Sequence, residues 1–472
     1  MISLVLDDLT FEQDIRELLM AFYPGEGYAY DFDKNAIFSL SLTKKVSNYS
    51  IEIRSNEVSR EFISPILPTK FDTKNELKRN IYLNLINSGH KNLPWGTLTG
   101  IRPTKIVMEM LENSISKKDI KTHLKDVYLM DDSRIEICVD TACTEFNILK
   151  KVDYQNGYSL YIGIPFCPTR CLYCSFTSYS LNQWKKDTDK YVEALCTELR
   201  AVSKMYNKKK LQTVYMGGGT PTSLEASQLE KIINTVNENF DLSNLLELTV
   251  EAGRPDSITR EKLEALKRAG VNRISINPQT MQQKTLDLIG RQHTIEDIYT
   301  SYNLARDVGF GNINMDFIIG LNGESLSDIC DSFKKVREFS PESITVHSLA
   351  IKRAARLNKR EIIDNDLVLL MTDVARQTCD ELGLKPYYLY RQKNMAGNLE
   401  NIGFSKPSKE CLYNILIMEE KQTIIACGAG TSSKIVFGDG RIERIENVKD
   451  PKLYIERLGE MIARKECING IG

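Results

Sequence analysis

YIGIPFCPTRCLYCSFTSYS, residues 161–180, places Cys167, Cys171 and Cys174 in one short segment directly after an apolar run that reads as a strand. Three thiols this close admit three readings. A structural zinc site takes four Cys or His ligands, yet His90, His123, His293 and His347 are all distant in sequence. A thioredoxin-like pair uses Cys171 and Cys174 as C-x-x-C and leaves Cys167 without a role. An iron–sulfur cluster is held by thiolates, four for a four-iron cluster, so three local thiolates leave one iron open to a substrate or cofactor. A loop at a strand end is also a poor place to hide three cysteines as packing alone.

The rest of the chain sets the context. At 472 residues it calls for two or three domains. The 42% apolar and 26% charged content is an ordinary globular balance, and a net charge of −1 implies no general pull toward nucleic acid or membrane. No nucleic-acid motif, P-loop or Ser/His/Asp pattern stands out. The start, MISLVLDDLTFEQDIRE, lacks a basic region and a cleavage site, and runs such as MDFIIGL are too short to span a membrane. A cytoplasmic protein without membrane insertion is expected. Of the eleven cysteines, Cys138, Cys196, Cys330, Cys379 and Cys467 lie in apolar patterns and read as small buried hydrophobes of a reducing compartment.

From about residue 158 the pattern alternates. The runs YSLYIGI, LQTVYMG, LLELTVEA, RISINPQ, NINMDFIIGL and SITVHSLA read as strands, with helical stretches such as DKYVEALCTELRAVSKMY between them. Six βα units imply a parallel sheet with helices outside it, two short of a closed eight-stranded barrel. The expected fold is therefore α/β: a partial (β/α)6 barrel over residues 156–354. An N-terminal α+β domain is expected over 1–155 and a small C-terminal α+β domain over 355–472. YAYDFDKNAIFSLSL reads as β-rich, residues 361–385 as a helix, and NLPWGTLTGIRPTK (92–105) as a break in a helical pattern.

Working residues of such sheets lie at the C-terminal strand ends. There stand Gly217, Gly218 and Gly219 in YMGGGTPTSL, Glu251 in TVEAGRPDS, Gln279 after RISINP, Arg291 after LDLIG and Asp316 inside NINMDFIIGL. An Asp in so apolar a strand is costly unless it has a partner or faces a polar cavity.

C-x3-C-x2-C after the first strand of a βα array resembles the signature of radical S-adenosylmethionine (SAM) enzymes. YIGIPFCPTRCLYCSF, GGGTPT, VEAGRPDS, RISINPQT, NMDFIIGL and CGAG resemble the oxygen-independent coproporphyrinogen oxidase group, and LPWGTLTGIRPTK its HemZ-type branch, coproporphyrinogen dehydrogenase. That resemblance implies a [4Fe-4S] cluster on Cys167, Cys171 and Cys174, with SAM chelated at the open iron and cleaved to a 5′-deoxyadenosyl radical. It implies oxidative decarboxylation of two propionates of coproporphyrinogen III to vinyl groups, with an electron donor and an acceptor that the sequence does not name. It places Tyr161, Tyr173, Gly218 and Glu251 at a first SAM, and Gly219, Thr220, Gln279, Arg291 and Asp316 at a second, with Val346 a further contact.

There are departures: Gly163 stands where the group usually reads His, Phe176 where it places another Cys, and NPQ replaces GVQ. These bear on the tetrapyrrole substrate and keep open a haem-binding chaperone, with His347 as the nearest haem ligand, or an enzyme of another tetrapyrrole. Lys352, Arg353, Arg356, Lys359 and Arg360 are candidate propionate contacts, and Arg102 and Lys105 weaker ones.

Overall fold

Residues 1–33, 35–55, 58–175, 178–350, 365–392 and 399–469 are described by a computed structural model of the chain. Met1–Cys143 with Tyr390–Glu400 form one compact unit, and Thr144–Leu389 with Asn401 onward form the other.

In the first unit, β1 (Ile2–Leu6), β2 (Tyr28–Ala29), β3 (Phe38–Lys44), β4 (Asn48–Ser55) and β5 (Ser59–Pro65) form one sheet in the order β2-β1-β3-β4-β5. Alternate residues Leu4, Leu40, Ile51 and Ile53 meet Leu18 of helix Glu12–Phe22 and Leu77 and Ile81 of helix Lys70–Ile86 in a single core. The β-rich stretch 28–42 holds two strands, β2 and most of β3. Between them the Asn35 amide donates to Asp33 Oδ1 in an Asx turn that breaks the pairing.

The 92–105 loop is an anchor of this unit. Trp95 is fully buried; its Nε1 donates to Glu400 Oε2 at 2.7 Å, and the Arg391 guanidinium lies 5.3 Å from its ring. Lys105 makes an exposed pair with Glu109, and Arg102 precedes helix Thr104–Glu112.

The second unit carries β6 (Gly157–Ile164), β7 (Phe166–Cys167), β8 (Tyr179–Ser180), β9 (Lys210–Gly218), β10 (Glu247–Gly253), β11 (Arg273–Ile276), β12 (Ile313–Ile319) and β13 (Ser343–Ser348). Six of these, β6-β9-β10-β11-β12-β13, are parallel neighbours in chain order. Helices Thr188–Met205, Ala226–Asn239, Arg260–Arg268, Ile295–Asp307 and Leu326–Phe339 make the crossovers. Their starts are written in the sequence: Thr294 with Asp297, and Ser325 with Asp328, form reciprocal capping boxes. The six βα units read from the sequence are thus a partial barrel.

Residues 365–389 and Asn401 onward, from the stretch expected as a smaller domain, lie in the second unit, where their strands extend the barrel sheet. β14 (Lys385–Tyr390) and β15 (Asn401–Ser405) follow β13 at one edge. β16 (Thr423–Cys427), β17 (Ser432–Val436) and β18 (Ile442–Glu446) follow β6 at the other. β16 runs parallel to β6, with Cys427 opposite Ile162. These strands pair the outer backbone of β6 and β13, which a six-stranded sheet would leave as its edges.

The expected 361–385 helix is seen from Asn365 to Glu381; its first residues and the 352–360 patch lie outside the described residues. Cys138, Cys196 and Cys379 are buried as expected, but Cys330, on helix Leu326–Phe339, and Cys467, on helix Leu458–Asn469, are exposed.

Candidate functional site

β6, β9, β10, β12 and β13 are buried along almost their whole inner length, and each has a less buried residue near its C-terminal end: Tyr161, Tyr215, Glu251, Asp316 and His347. Helices cover one face of these strands, so side chains that break the burial mark the other face, the barrel interior. Tyr161 and Tyr215 are register partners whose rings stack at 6.1 Å, and Tyr413 of helix Leu412–Glu419 lies 4.5 Å from the Tyr215 ring. The Tyr215 hydroxyl donates to Glu251 Oε1 at 2.5 Å. Burial pushes the Glu251 carboxyl up to about 7; the Tyr215 bond opposes this, and the nearby Asp316 charge adds to it.

On β12, Asn314 Nδ2 donates to Asp316 Oδ1 at 2.6 Å, and His347 Nε2 stands 3.9 Å from Asp316 Oδ2. Burial would raise the Asp316 carboxyl, but the His347 partner and the Asn314 and Thr345 bonds together leave it below the usual carboxylate range. Val346 alternates with His347, so its side chain faces away from Asp316, and it is buried. Gln279 follows β11 at a φ of 71°, a left-handed conformation unusual for any residue with a Cβ. Its amide donates to Asp316 O and its carbonyl accepts from the Ile318 amide, tying the strand end to β12.

The cysteine loop leaves β6 through Pro165. Cys171 is buried, and Cys167 and Cys174 are half-buried. Thr220 Oγ1 donates to Cys167 Sγ at 3.6 Å, and burial pushes that thiol up. The glycine run lies against this loop. Gly218 holds a φ of 110°, and a Cβ on Gly219 would come within 2.5 Å of the Phe166 carbonyl oxygen. The Gly219 and Thr220 amides donate to the Ile164 and Phe166 carbonyls, both at 2.7 Å. Arg291 Nη1 donates to Asn277 O at 2.6 Å and Nη2 to the Tyr173 hydroxyl at 3.2 Å. Among the described residues, no three His, Cys, Asp or Glu side chains converge as one metal ion would require.

Gly163 has a steric cause. A Cβ there would sit 2.3 Å from Thr431 Cγ2, so Thr431, on the loop after β16, fills the space that the expected imidazole would need. Sequence reading missed this pair, along with Tyr215, Tyr413 and the buried Arg254. The signal for Tyr215 was present: it stands two residues before Gly217, as Tyr161 stands two before Gly163. Thr431 and Tyr413 gave none, because only the insertion of β16 beside β6 brings that region to the barrel.

Residues 161–336 match the Radical SAM superfamily. Over 476 aligned residues, 96% of this chain and 94% of the relative, the chain is 39% identical to the oxygen-independent coproporphyrinogen-III oxidase-like protein HemZ of Bacillus subtilis. The chain belongs to the radical SAM superfamily and to its HemZ-like family. The heme chaperone HemW of Bacillus subtilis is 39% identical over 195 residues, 41% of this chain and 51% of that one. The solved structure of the coproporphyrinogen III oxidase HemN of Escherichia coli, a radical SAM enzyme, superposes with a TM-score of 0.55 at 23% identity, covering 67% of this chain and 72% of that one; this likeness concerns the fold.

A radical SAM domain implies a [4Fe-4S] cluster and SAM, and this chain's residues fit them. The donor set is three thiols in one loop, and a cluster takes each thiolate on a separate iron instead of drawing them to one point. At the C-terminal ends of the strands stand buried polar atoms without hydrogen-bond partners, Ser275 Oγ and Asn277 Oδ1 at the end of β11 and Arg291 Nε, which a polar cofactor would satisfy. No helix of the described residues is long and apolar enough to cross a membrane.

Proposed function

We propose that the chain carries out the oxygen-independent oxidative decarboxylation of two propionate side chains of coproporphyrinogen III to vinyl groups, giving protoporphyrinogen IX. The observation that carries this reading is the 39% identity to the HemZ oxidase-like protein over nearly the whole of both chains. The polar ring of Glu251, Asp316 and His347 at the mouth that holds the three cysteines supports it.

In this reading Cys167, Cys171 and Cys174 hold the cluster, which with SAM supplies the 5′-deoxyadenosyl radical. Tyr161, Tyr173, Gly218 and Glu251 seat the first SAM. The Glu251 carboxylate accepts from its cationic group, which favours loss of the carboxyl proton at neutral pH. Gly219, Thr220, Gln279, Arg291 and Asp316 seat a second SAM, and the Val346 backbone borders it. Tyr215 orients Glu251, and His347 orients Asp316. An electron donor and an acceptor, and a cytoplasmic setting, belong to the same proposal.

A haem-binding role is the second reading, favoured by the HemW relative and by His347, whose ring is half-buried at the barrel interior. The test is an anaerobic turnover of cluster-reconstituted protein with SAM, a reductant and coproporphyrinogen III, read by mass spectrometry. Loss of two carboxyl groups that disappears in Cys167→Ala is the expected result. Formation of 5′-deoxyadenosine with an intact tetrapyrrole overturns the substrate, and tight haem binding without any SAM cleavage favours the chaperone.

A further inference from the structure

Each interval between the three cysteines is gripped by a different buried arginine. Arg254, 3% exposed in the turn after β10, directs Nη1 to both the carbonyl oxygen (3.0 Å) and Oγ1 (2.6 Å) of Thr169, between Cys167 and Cys171. Its other edge forks onto Asp256, Nε to Oδ1 at 2.9 Å and Nη2 to Oδ2 at 2.6 Å. Arg291 reaches Tyr173, between Cys171 and Cys174, and the Leu172 amide donates to Ile289 O in the same interval. His293, which feels the charge of both guanidiniums, is fully buried, with no hydrogen-bond partner at either ring nitrogen. Burial first, and then the Arg291 charge, push its imidazole down to about 4, so it is neutral at physiological pH. Two cations and one carboxylate are thus fixed behind the loop.

We propose that Arg254 is a positioning residue that sets the geometry of the cysteine loop and, with the cluster bound, raises its reduction potential. The proposal rests on the iron–sulfur reading only in its second half. A planar guanidinium suits the task because one side chain holds a carboxylate and a peptide carbonyl in fixed directions, which an ammonium cannot do. A cation near an iron–sulfur cluster favours the more reduced state, because that state carries one more negative charge. Without Arg254 the Asp256 carboxylate would keep only the Arg291 charge nearby, and the surroundings of the loop would be one unit more negative.

The test compares the parent with Arg254→Gln, Arg254→Lys and Thr169→Val. Hydrogen exchange of the amides of residues 169–175 is followed in the metal-free proteins, and the midpoint potential is titrated after reconstitution. Loop exchange is expected to rise at least about tenfold in Arg254→Gln, the factor for losing a charge-assisted hydrogen bond, and less in Thr169→Val. The midpoint is expected to move negative in Arg254→Gln and to stay near the parent in Arg254→Lys, which keeps the charge but loosens the loop. Unchanged loop exchange in Arg254→Gln overturns the clamp, and an unchanged midpoint there overturns the tuning, even if the melting temperature falls. If Arg254→Gln does not fold, Thr169→Val decides the clamp and Arg254→Lys the role of charge: unaltered loop exchange in the first, or a strongly negative shift in the second, overturns the proposal. A parent chain that takes up no cluster refutes the iron–sulfur reading while the exchange data still judge the clamp.

Discussion

The hydroxyl of Tyr215 on β9 donates to the carboxyl of Glu251 on the adjacent β10 at 2.5 Å, inside the barrel. The bond gives Glu251 a fixed direction without cancelling the cost of burying its charge, since its carboxyl still stands at about 7. A cationic ligand arriving there would find an acceptor already oriented, and its charge would offset the desolvation that keeps the proton on.

A pH dependence of stability follows. Glu251 titrates near 4.5 when unfolded and near 7 when folded, so between those values the folded chain binds more protons than the unfolded one. Its contribution is fully present below about 4.5 and is lost as pH rises through 7, a loss on the order of 2–3 kcal/mol. Urea unfolding of the ligand-free protein at pH 5 and pH 8 should show that loss in the parent and much less of it in Glu251→Gln. Equal pH slopes in the two proteins would refute the assignment.

Gly163 and Thr431 should behave as one packing unit. Gly163→Ala places a methyl against Thr431 Cγ2, and such overpacking costs about 1–3 kcal/mol. Thr431→Ser deletes only that Cγ2 and keeps the hydroxyl that donates to Gly428 O at 2.8 Å. The double variant should therefore recover most of the loss, giving a non-additive cycle by thermal unfolding. Additive effects would mean that the two side chains do not compete for the same space.

Much of the barrel was legible because its physics is local. Six apolar runs of strand length with amphipathic helices between them admit few topologies, and a cysteine triplet after the first run is a motif within one segment. The strand-end residues Glu251, Gln279 and Asp316 were visible for the same reason, as polar groups out of pattern. Harder to read was whatever depends on long-range pairing. Nothing in TIIACGAG says that it runs beside residues 158–162, and without that pairing Thr431 has no reason to meet Gly163, nor Tyr413 the rings of Tyr161 and Tyr215. Arg254 gave no signal in the sequence because its partner, Thr169, lies 85 positions away.

A buried ion pair ties the end of the chain to the barrel. Lys465 Nζ lies 2.7 Å from Glu198 Oε1, both side chains being fully buried, and Glu198 Oε2 accepts from the Gly428 amide and the Tyr454 hydroxyl. Lys465→Met leaves that carboxylate without its cation and should cost about 3–5 kcal/mol. Glu198→Gln combined with Lys465→Met should be less damaging than Lys465→Met alone, since it removes the stranded charge. Chemical denaturation of the parent and the two variants decides this; a Lys465→Met protein as stable as the parent would rule the pair out as a support.

Gln279 offers the sharpest separation of stability from function. Its φ of 71° is costly for a residue with a Cβ, by about 1–2 kcal/mol, whereas glycine adopts it freely. Its two bonds to β12, from its amide to Asp316 O and to its carbonyl from the Ile318 amide, belong to the backbone and survive any substitution except proline. Gln279→Gly therefore relieves the strain and gives back about 0.5–1 kcal/mol through the larger entropy of the unfolded glycine chain. The net expectation is a protein as stable as the parent or up to about 1 kcal/mol more so. Gln279→Val, β-branched at the same φ, should lose about 1–3 kcal/mol. Under the proposed function the glycine variant would nonetheless lose turnover, because the carboxamide expected at the second SAM is gone. A glycine variant that is clearly less stable than the parent would show that the side chain, and not the backbone alone, holds the end of β11 in place.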